Sequence, residues 1–273
     1  MPSIQRSVTP AVVVKLVLRC PLILAARHLE AVVGAKQAWI FVRAGLFLSE
    51  LAAWIAALAA ALLGDWRWAV ASAAFAVSAD VVGRAWSRKS PVPLPYFMWW
   101  LLLLPRGAHS PKNLRRVLEP RPGERILEVG PGVGVHALVI AKALQPDGVI
   151  DVIDVEQAML DRLMQRATRR GFTNIVPRQG DARQLPYPES TFDAAYLIGV
   201  LGEVPDGVAA LRELRRVLKP DGRLIVGELL LDPDFVSFAA LKEKGNDAGF
   251  TLVGQAGTSV AYWAIFRPGG AAG

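Results

Sequence analysis

The stretch RILEVGPGVGVHALVIAKAL, residues 125–144, decides the fold of the second half of this chain. Its first five residues have the pattern of a buried strand, and the residues after the third glycine have the pattern of a helix. Gly130, Gly132 and Gly134 let the backbone turn sharply and approach a ligand without a Cβ atom in the way. The helix directs its free N–H groups and its positive dipole end at the same place. This order predicts a ligand site at the end of a strand.

Strands and helices alternate through the rest of the second half. This alternation predicts an α/β fold, with a doubly wound, mostly parallel sheet and helices on both faces. Ligands in such sheets bind outside the carboxyl ends of the strands. Beyond residues 125–144, the patterns predict strands at 148–154, 174–181, 192–199 and 222–228, helices at about 156–170, 208–220 and 235–248, and a terminal strand pair at 249–255 and 259–266.

Three carboxylates stand at the ends of the first three strands. Glu128 comes just before the glycines, where it would repel a pyrophosphate and attract a cationic ligand. Asp154 ends the second strand, where a carboxylate can accept both hydroxyls of a ribose. Asp181 follows the third strand and can accept a hydrogen bond from an adenine amino group. A ligand with a positive centre, a ribose and an adenine is S-adenosylmethionine.

Four segments, in order, resemble the class I S-adenosylmethionine-dependent methyltransferases, especially the branch that methylates small molecules, quinones and lipids. The resemblance covers about residues 112–267 and implies a Rossmann-like sheet of seven strands whose last strand is antiparallel. Its order and spacing carry more weight than any one motif, because the glycine pattern with Ala137 also fits a nicotinamide-dependent reductase. The segments are ILEVGPGVG, VIDVEQAML, GDARQLPYPESTFDAAYLIGVLGEVPD and LRELRRVLKPDGRLIVGE.

The resemblance also implies cofactor-binding roles for particular residues. Those near the methionine end and the substrate come from the first and fourth strands, and those near the nucleoside come from the second and third. The implied residues are Gly130, Gly132 and Gly134 in the loop, Glu128 and Ile198 near the methionine portion, Asp154 at the ribose, and Val155, Asp181 and Ala182 at the adenine.

Two residues are candidates for a catalytic role. Many relatives have a histidine where this chain has Gly202 and Glu203, so Glu203 is expected to be a base, a partner for a cationic amine, or a solvated surface group. His136 follows the loop and either faces the pocket or caps the helix. Methyl transfer from a sulfonium needs a base only when the nucleophile must lose a proton. Three scattered histidines and one cysteine predict no metal site.

The first half of the chain has a different composition. Of the 273 residues, 53% are hydrophobic, and mean hydropathy is +0.33. Residues 1–110 hold 11 Lys/Arg and 4 Asp/Glu, which accounts for the whole net charge of +7, because residues 111–273 hold 20 of each. A basic, apolar half favours an anionic lipid surface over nucleic acid. Cys20 stands alone, so no intrachain disulfide can form.

An apolar helical hairpin is predicted at about residues 44–82. Residues 44–63 contain one charge, Glu50, and span about 30 Å as a helix. Basic residues flank the hairpin on both sides, so both ends are expected to face the cytoplasm. Interfacial helices are predicted at about 8–33, a linker at 84–95 and a short apolar segment at 96–104. A soluble cap domain, with these helices buried in an interface or a dimer, is the alternative.

The sequence as a whole therefore predicts a membrane-associated helical region over residues 1–104 and a methyltransferase domain over residues 105–273. We expect S-adenosylmethionine as the cofactor, the cytoplasmic membrane as the location, and no nucleic-acid partner. The expected substrate is a lipophilic small molecule, such as a quinone or other isoprenoid, a lipid amine or a fatty-acid carboxylate. The sequence leaves open whether the chain forms a homo-oligomer. The alternative function is a non-catalytic sensor or scaffold that binds the cofactor.

Overall fold

A computed structural model describes residues 35–89, 91 and 93–269 of the protein, with side chains from residue 45 onward apart from residue 88. The predicted interfacial helices at 8–33 lie outside the described residues. The chain forms two compact units, which divide between Ala85 and Trp86.

The first unit contains two long helices joined by a tight turn. Helix α1 runs from Ala35–Leu62 and helix α2 from Trp66–Lys89. Gly64 has φ +80° in the turn, a conformation that glycine adopts without strain. Helix α2 continues into the predicted linker at 84–95, because the first residue of that stretch that interrupts a helix is Pro91.

Small residues lie between the two helices, and large apolar residues face outward. Ala53, Ala57 and Ala76 are buried, whereas Trp54, Ile55, Leu58, Leu62, Trp66 and Trp68 are exposed. Among the described residues, one helical stretch, Gly45–Leu62, is long and apolar enough to cross a membrane, with a mean hydropathy of 1.8. Helix α2 does not meet the same criterion of length and hydropathy, so the composition of the helices supports only the first of the two predicted membrane spans.

The second unit contains the predicted α/β sheet. From residue 125 onward its helices and strands follow the predicted order, with ends shifted by a few residues, and a helix that was not predicted, Pro111–Leu118, precedes them. They are α3 (Pro111–Leu118), β1 (Arg125–Val129), α4 (Ala137–Leu144), β2 (Val149–Asp154), α5 (Gln157–Arg169), β3 (Ile175–Gln179), β4 (Phe192–Ile198), α6 (Gly207–Val217), β5 (Leu218–Leu229), α7 (Phe238–Asp247), β6 (Phe250–Thr258) and β7 (Ala261–Pro268).

The seven strands lie in the order β3-β2-β1-β4-β5-β7-β6. The first five strands are parallel, and β7 runs antiparallel to both β5 and β6. This arrangement confirms the Rossmann-like methyltransferase fold. The strand order reverses between β1 and β4, and such a switch point leaves a crevice at the carboxyl ends of the strands.

Helices cover both faces of the sheet. Helices α3, α4 and α5 bury one face with residues such as Leu114, Ile140 and Leu163. Helices α6 and α7 bury the other with residues such as Leu214 and Leu241. Strand residues alternate between the two layers, as a sheet buried on both sides requires.

The apolar segment at 96–104 belongs to the second unit, not to the helical region as predicted. Residues Tyr96–Leu103 form a 3₁₀ helix, in which Met98 is buried. The boundary therefore lies near residue 86 and not at 104/105, because this helix packs on the sheet domain. Sequence alone does not distinguish an apolar run that packs on a domain from one that enters a bilayer.

Candidate functional site

The glycine loop after β1 has the sharp backbone that its sequence predicts. Gly130, Gly132 and Gly134 have φ values of 67°, 51° and 77°, all in the left-handed region that glycine tolerates. A Cβ atom at Gly130 would lie 2.5 Å from Val200 Cγ2, and one at Gly132 would lie 2.5 Å from Leu102 Cδ1. The loop is therefore a close-packed cradle that only glycine can form.

Asp154, at the end of β2, is held against this loop. Its Oδ2 accepts a hydrogen bond from the Gly132 backbone N–H at 3.3 Å, and its Oδ1 accepts one from Glu156 N–H at 3.0 Å. Burial raises the pKa of the carboxyl, and the backbone donors oppose that rise. The structure thus brings together a carboxylate and a bare backbone loop at the carboxyl ends of neighbouring strands.

Glu128 lies in the floor of the same site. Its side chain is buried, and its Oε2 accepts a hydrogen bond from the Tyr196 hydroxyl at 2.8 Å. Burial raises the pKa of Glu128 to about 8, although the Tyr196 bond and the Arg106 charge lower it. A cation that approached this carboxyl would favour its charged form, so the group can respond to a positively charged ligand.

The residues predicted at an adenine lie at the ends of β2 and β3. Val155 is 46% exposed, which leaves its apolar face available for a ring, while Ala182 is buried. Asp181 Oδ2 forms an ion pair with Arg183 Nη2 at 2.6 Å, and this partner lowers the pKa of Asp181. The Asp181 carboxylate is thus already engaged by a cation, and its role at an adenine stays a prediction.

Ile198 and Glu203 lie at and just beyond the end of β4. Ile198 is the last residue of β4 and is half-buried, and Gly199 after it has φ +62°. Glu203 ends a short 3₁₀ helix, Leu201–Glu203, and is half-buried. Both residues stand near the switch point, and their roles toward cofactor and substrate stay predictions.

The His136 side chain is engaged by another part of the chain. Its ring is buried, and its Nε2 lies 2.8 Å from the backbone oxygen of His109. Burial lowers the pKa of His136 to about 4, so the imidazole is neutral at physiological pH. It occupies the N-cap position of α4 without a capping bond from its side chain, so the capping interpretation is wrong. A catalytic role for His136 stays a prediction that this geometry does not favour.

Two residues near the site were not found from the sequence. Leu102, in the 3₁₀ helix Tyr96–Leu103, lies over Gly132. Arg106 lies near the carboxylates of Asp232 and Glu128. Burial lowers the pKa of Arg106, and these two charges oppose that change. The apolar run before Arg106 suggested a membrane segment, so neither residue was connected with the loop.

The cradle fits the nucleoside and the cation of S-adenosylmethionine. Side chains at the three glycine positions would collide with Val200, Leu102 or Leu163, so only glycine lets the backbone take this sharp course beside Asp154. Asp154 supplies half-buried acceptor oxygens beside that backbone, and Glu128 supplies an ionisable carboxyl in the floor. Among the described residues there is no group of histidine, cysteine and carboxylate side chains that would hold a metal ion.

Comparison with known proteins agrees with this geometry. Residues 126–222 match the family described as a methyltransferase domain. The chain is 32% identical over 142 residues to a 27-O-demethylrifamycin SV methyltransferase of Amycolatopsis mediterranei, which covers 52% of each chain. It is 38% identical to a 2-phytyl-1,4-naphtoquinone methyltransferase of Synechococcus elongatus, covering 39% of this chain and 46% of that protein. The chain thus spans about half the length of the curated relatives it matches.

Solved structures show the same fold. A SAM-dependent methyltransferase from Aquifex aeolicus matches 64% of this chain and 98% of its own, with 18% identity and a TM-score of 0.59. The [4+2]-cyclase SpnF matches 58% of this chain and 79% of its own, with 22% identity and a TM-score of 0.53. A fold shared with a cyclase shows that the reaction must be argued from the site.

Proposed function

Since the second unit of this chain is a class I S-adenosylmethionine-dependent methyltransferase domain, we propose that the protein transfers a methyl group to a lipophilic small molecule at a membrane surface. The observation that carries the proposal is the contact between Asp154 and Gly132, which sets a carboxylate beside the glycine cradle. Several matched relatives are named quinone methyltransferases, so a quinone is the first acceptor to test.

When bound, S-adenosylmethionine supplies an electrophilic methyl group on a positively charged sulfur. The protein's own task is to align the acceptor with that group and to exclude water. The cradle and Asp154 position the nucleoside, while Glu128 supplies a carboxyl whose charged form a cation favours. A base is needed only for a hydroxyl or an acidic carbon, and Glu203 is the candidate that we propose for that proton.

The first unit supports the membrane part of the proposal. Its outward side chains include Trp54, Ile55, Leu58 and Leu62, all more than 40% exposed along one helix. A surface of this kind is suited to a bilayer or to a protein partner. We propose the bilayer, because the basic residues that flank the helices fit a cytoplasmic membrane surface.

Incubation with a methyl-labelled donor tests this proposal. The purified full chain is mixed with labelled S-adenosylmethionine and a total membrane-lipid extract, and the products are separated. We expect label in an apolar product, and the identity of that product names the acceptor. Cofactor binding without any transfer to quinone or lipid fractions would instead support the non-catalytic sensor or scaffold.

A further inference from the structure

The 3₁₀ helix Tyr96–Leu103 has two different faces. One face packs on the domain: Met98 is buried, Leu102 lies over Gly132, and the Trp99 ring lies 4.5 Å from the Arg162 guanidinium. The other face points to solvent. Phe97, Trp100, Leu103 and Leu104 form this face, the apolar strip, and they are 47%, 43%, 49% and 53% exposed. Four large apolar side chains at the rim of a ligand site mark an interaction surface.

Arginines continue the surface from this strip along helix α5. Arg162, Arg166 and Arg169 recur at helical spacing, and Arg170 follows them directly, so these four residues, the arginine stripe, share one side of the helix. Arg162 stacks on Trp99, and Arg166 donates to the backbone oxygen of Val133 in the glycine loop. The stripe therefore starts beside both the apolar strip and the candidate site.

The stripe has little negative charge to balance it. Within the part of the chain that the structure describes, none of its four arginines forms a salt bridge. Burial lowers the pKa of Arg166, and the nearby charges of Arg170 and Arg162 lower it further. Mutual repulsion of this kind is relieved when an anionic surface approaches.

Further cations extend the basic surface on the same layer of helices. Arg170 lies with Arg115 and Lys142 around a groove of about 590 Å³ whose lining includes Leu138 and Phe172. The second half of the chain is neutral in sum, yet its charge is unevenly distributed. The identity of the anionic partner therefore has to be argued from the side chains.

We propose that the apolar strip and the arginine stripe dock the second unit directly on an anionic lipid bilayer. Aromatic side chains suit the headgroup zone, leucines beside them suit the acyl boundary, and arginines suit anionic headgroups. Nucleic acid offers phosphates for the arginines but no apolar partner for Leu103 and Leu104. The inference deepens the proposed membrane attachment, because it brings the glycine loop to the bilayer surface, where a lipophilic acceptor is concentrated.

A fluorescent label on the strip tests this docking in the full chain. Cys20→Ser removes the native cysteine, and Leu104→Cys supplies a single attachment point for an environment-sensitive dye. The labelled protein is reconstituted into phosphatidylcholine vesicles with or without phosphatidylglycerol. We expect blue-shifted emission and quenching by lipid-borne quenchers in the vesicles that contain phosphatidylglycerol.

Charge reversal then separates docking from general membrane attachment. Arg169→Glu/Arg170→Glu should reduce the docked fraction, since each cation near an anionic surface contributes roughly five-fold to binding. Lys242→Glu/Lys244→Glu is the matched control, with the same change of charge on α7 in the opposite layer. We expect this control to leave the emission unchanged.

Three results would overturn the inference. The first is a label that stays in water on anionic vesicles, and the second is an equal loss of docking in both double variants. The third is binding of an oligonucleotide, at physiological salt, that depends on Arg169 and Arg170 while anionic vesicles leave the label in water. Methyl transfer to a membrane acceptor is measured in the same samples. If it persists while the label stays in water, only the docking inference fails and the proposed function stands.

Discussion

Replacing Gly132 by alanine should destabilise the second unit for two reasons that can be separated. At φ +51° an alanine costs about 1–2 kcal/mol, because its Cβ approaches the carbonyl oxygen. The same Cβ would lie 2.5 Å from Leu102 Cδ1, the end of a flexible side chain that can shift, so this overpacking is at the low end, about 1 kcal/mol. We therefore expect Gly132→Ala to lower the free energy of unfolding by about 2–3 kcal/mol.

A double-mutant cycle isolates the second contribution. Leu102→Ala removes the atom that the new methyl group would meet, so the double variant should recover about 1 kcal/mol relative to the sum of the single changes. Gly171→Ala is the matched control, because Gly171 has φ +73° but a Cβ there would meet no atom within 4 Å. This control should show the conformational cost alone.

Urea unfolding of the full chain in mild detergent, followed by circular dichroism, measures each variant. Strictly additive effects of Gly132→Ala and Leu102→Ala would refute the reasoning, because they would mean that the 3₁₀ helix Tyr96–Leu103 does not lie on the glycine loop. An equal loss in Gly171→Ala and Gly132→Ala would refute it as well, since the steric contribution would then be missing.

Three other predictions concern the rest of the second unit and its attachment. Arg125→Ala should cost about 1–3 kcal/mol of unfolding free energy, because it leaves the fully buried carboxylate of Asp151 without its half-exposed cation; a Lys substitution that restores most of the loss would support the charge explanation. Burial raises the pKa of Glu128 from 4.5 to about 8 in the folded chain, so between these pH values the carboxyl is ionised only in the unfolded chain. The free energy of unfolding should therefore fall by up to about 1.4 kcal/mol per pH unit as the pH rises from 4.5 to 8. Glu128→Gln should remove that slope from urea titrations, and an unchanged slope would assign it to other groups. Deletion of residues 1–85 should leave calorimetric binding of S-adenosylhomocysteine intact and raise the fraction of protein recovered without detergent; full-length protein that is already soluble would contradict the membrane part.

Sequence patterns alone predicted the order of the strands and helices from residue 125 onward, but not the helices at Tyr96–Leu103 and Pro111–Leu118. Parallel strands that are buried on both faces have long apolar runs in the sequence, and glycine and proline mark the ends of these runs. Each strand can therefore be predicted without knowing which strand it pairs with. The same logic predicted that Asp154 would stand beside the glycine loop, since neighbouring parallel strands end at one edge of the sheet.

Contacts between residues distant in sequence were beyond such patterns. The bond between Tyr196 and Glu128 depends on the register of β4 against β1, and the contact of His136 with His109 depends on how the segment before α3 folds back. Residues 96–104 were placed in the membrane-associated region, as an interfacial wedge or the wall of an apolar tunnel, because nine apolar residues in a row have the same pattern in lipid and against a domain. The sequence pattern shows that the segment is apolar, and only the packing in the structure shows which apolar surface the segment contacts.

Calorimetric titration of the detergent-solubilised full chain with S-adenosylmethionine and S-adenosylhomocysteine tests the central claim most directly. We expect both to bind to the wild-type chain, and we expect Asp154→Ala to weaken binding roughly 10- to 100-fold through loss of charge-assisted hydrogen bonds. Asp161→Ala, which removes an exposed carboxylate from the following helix α5, should leave both affinities unchanged. Absence of binding by the folded wild-type chain up to millimolar ligand would contradict the account.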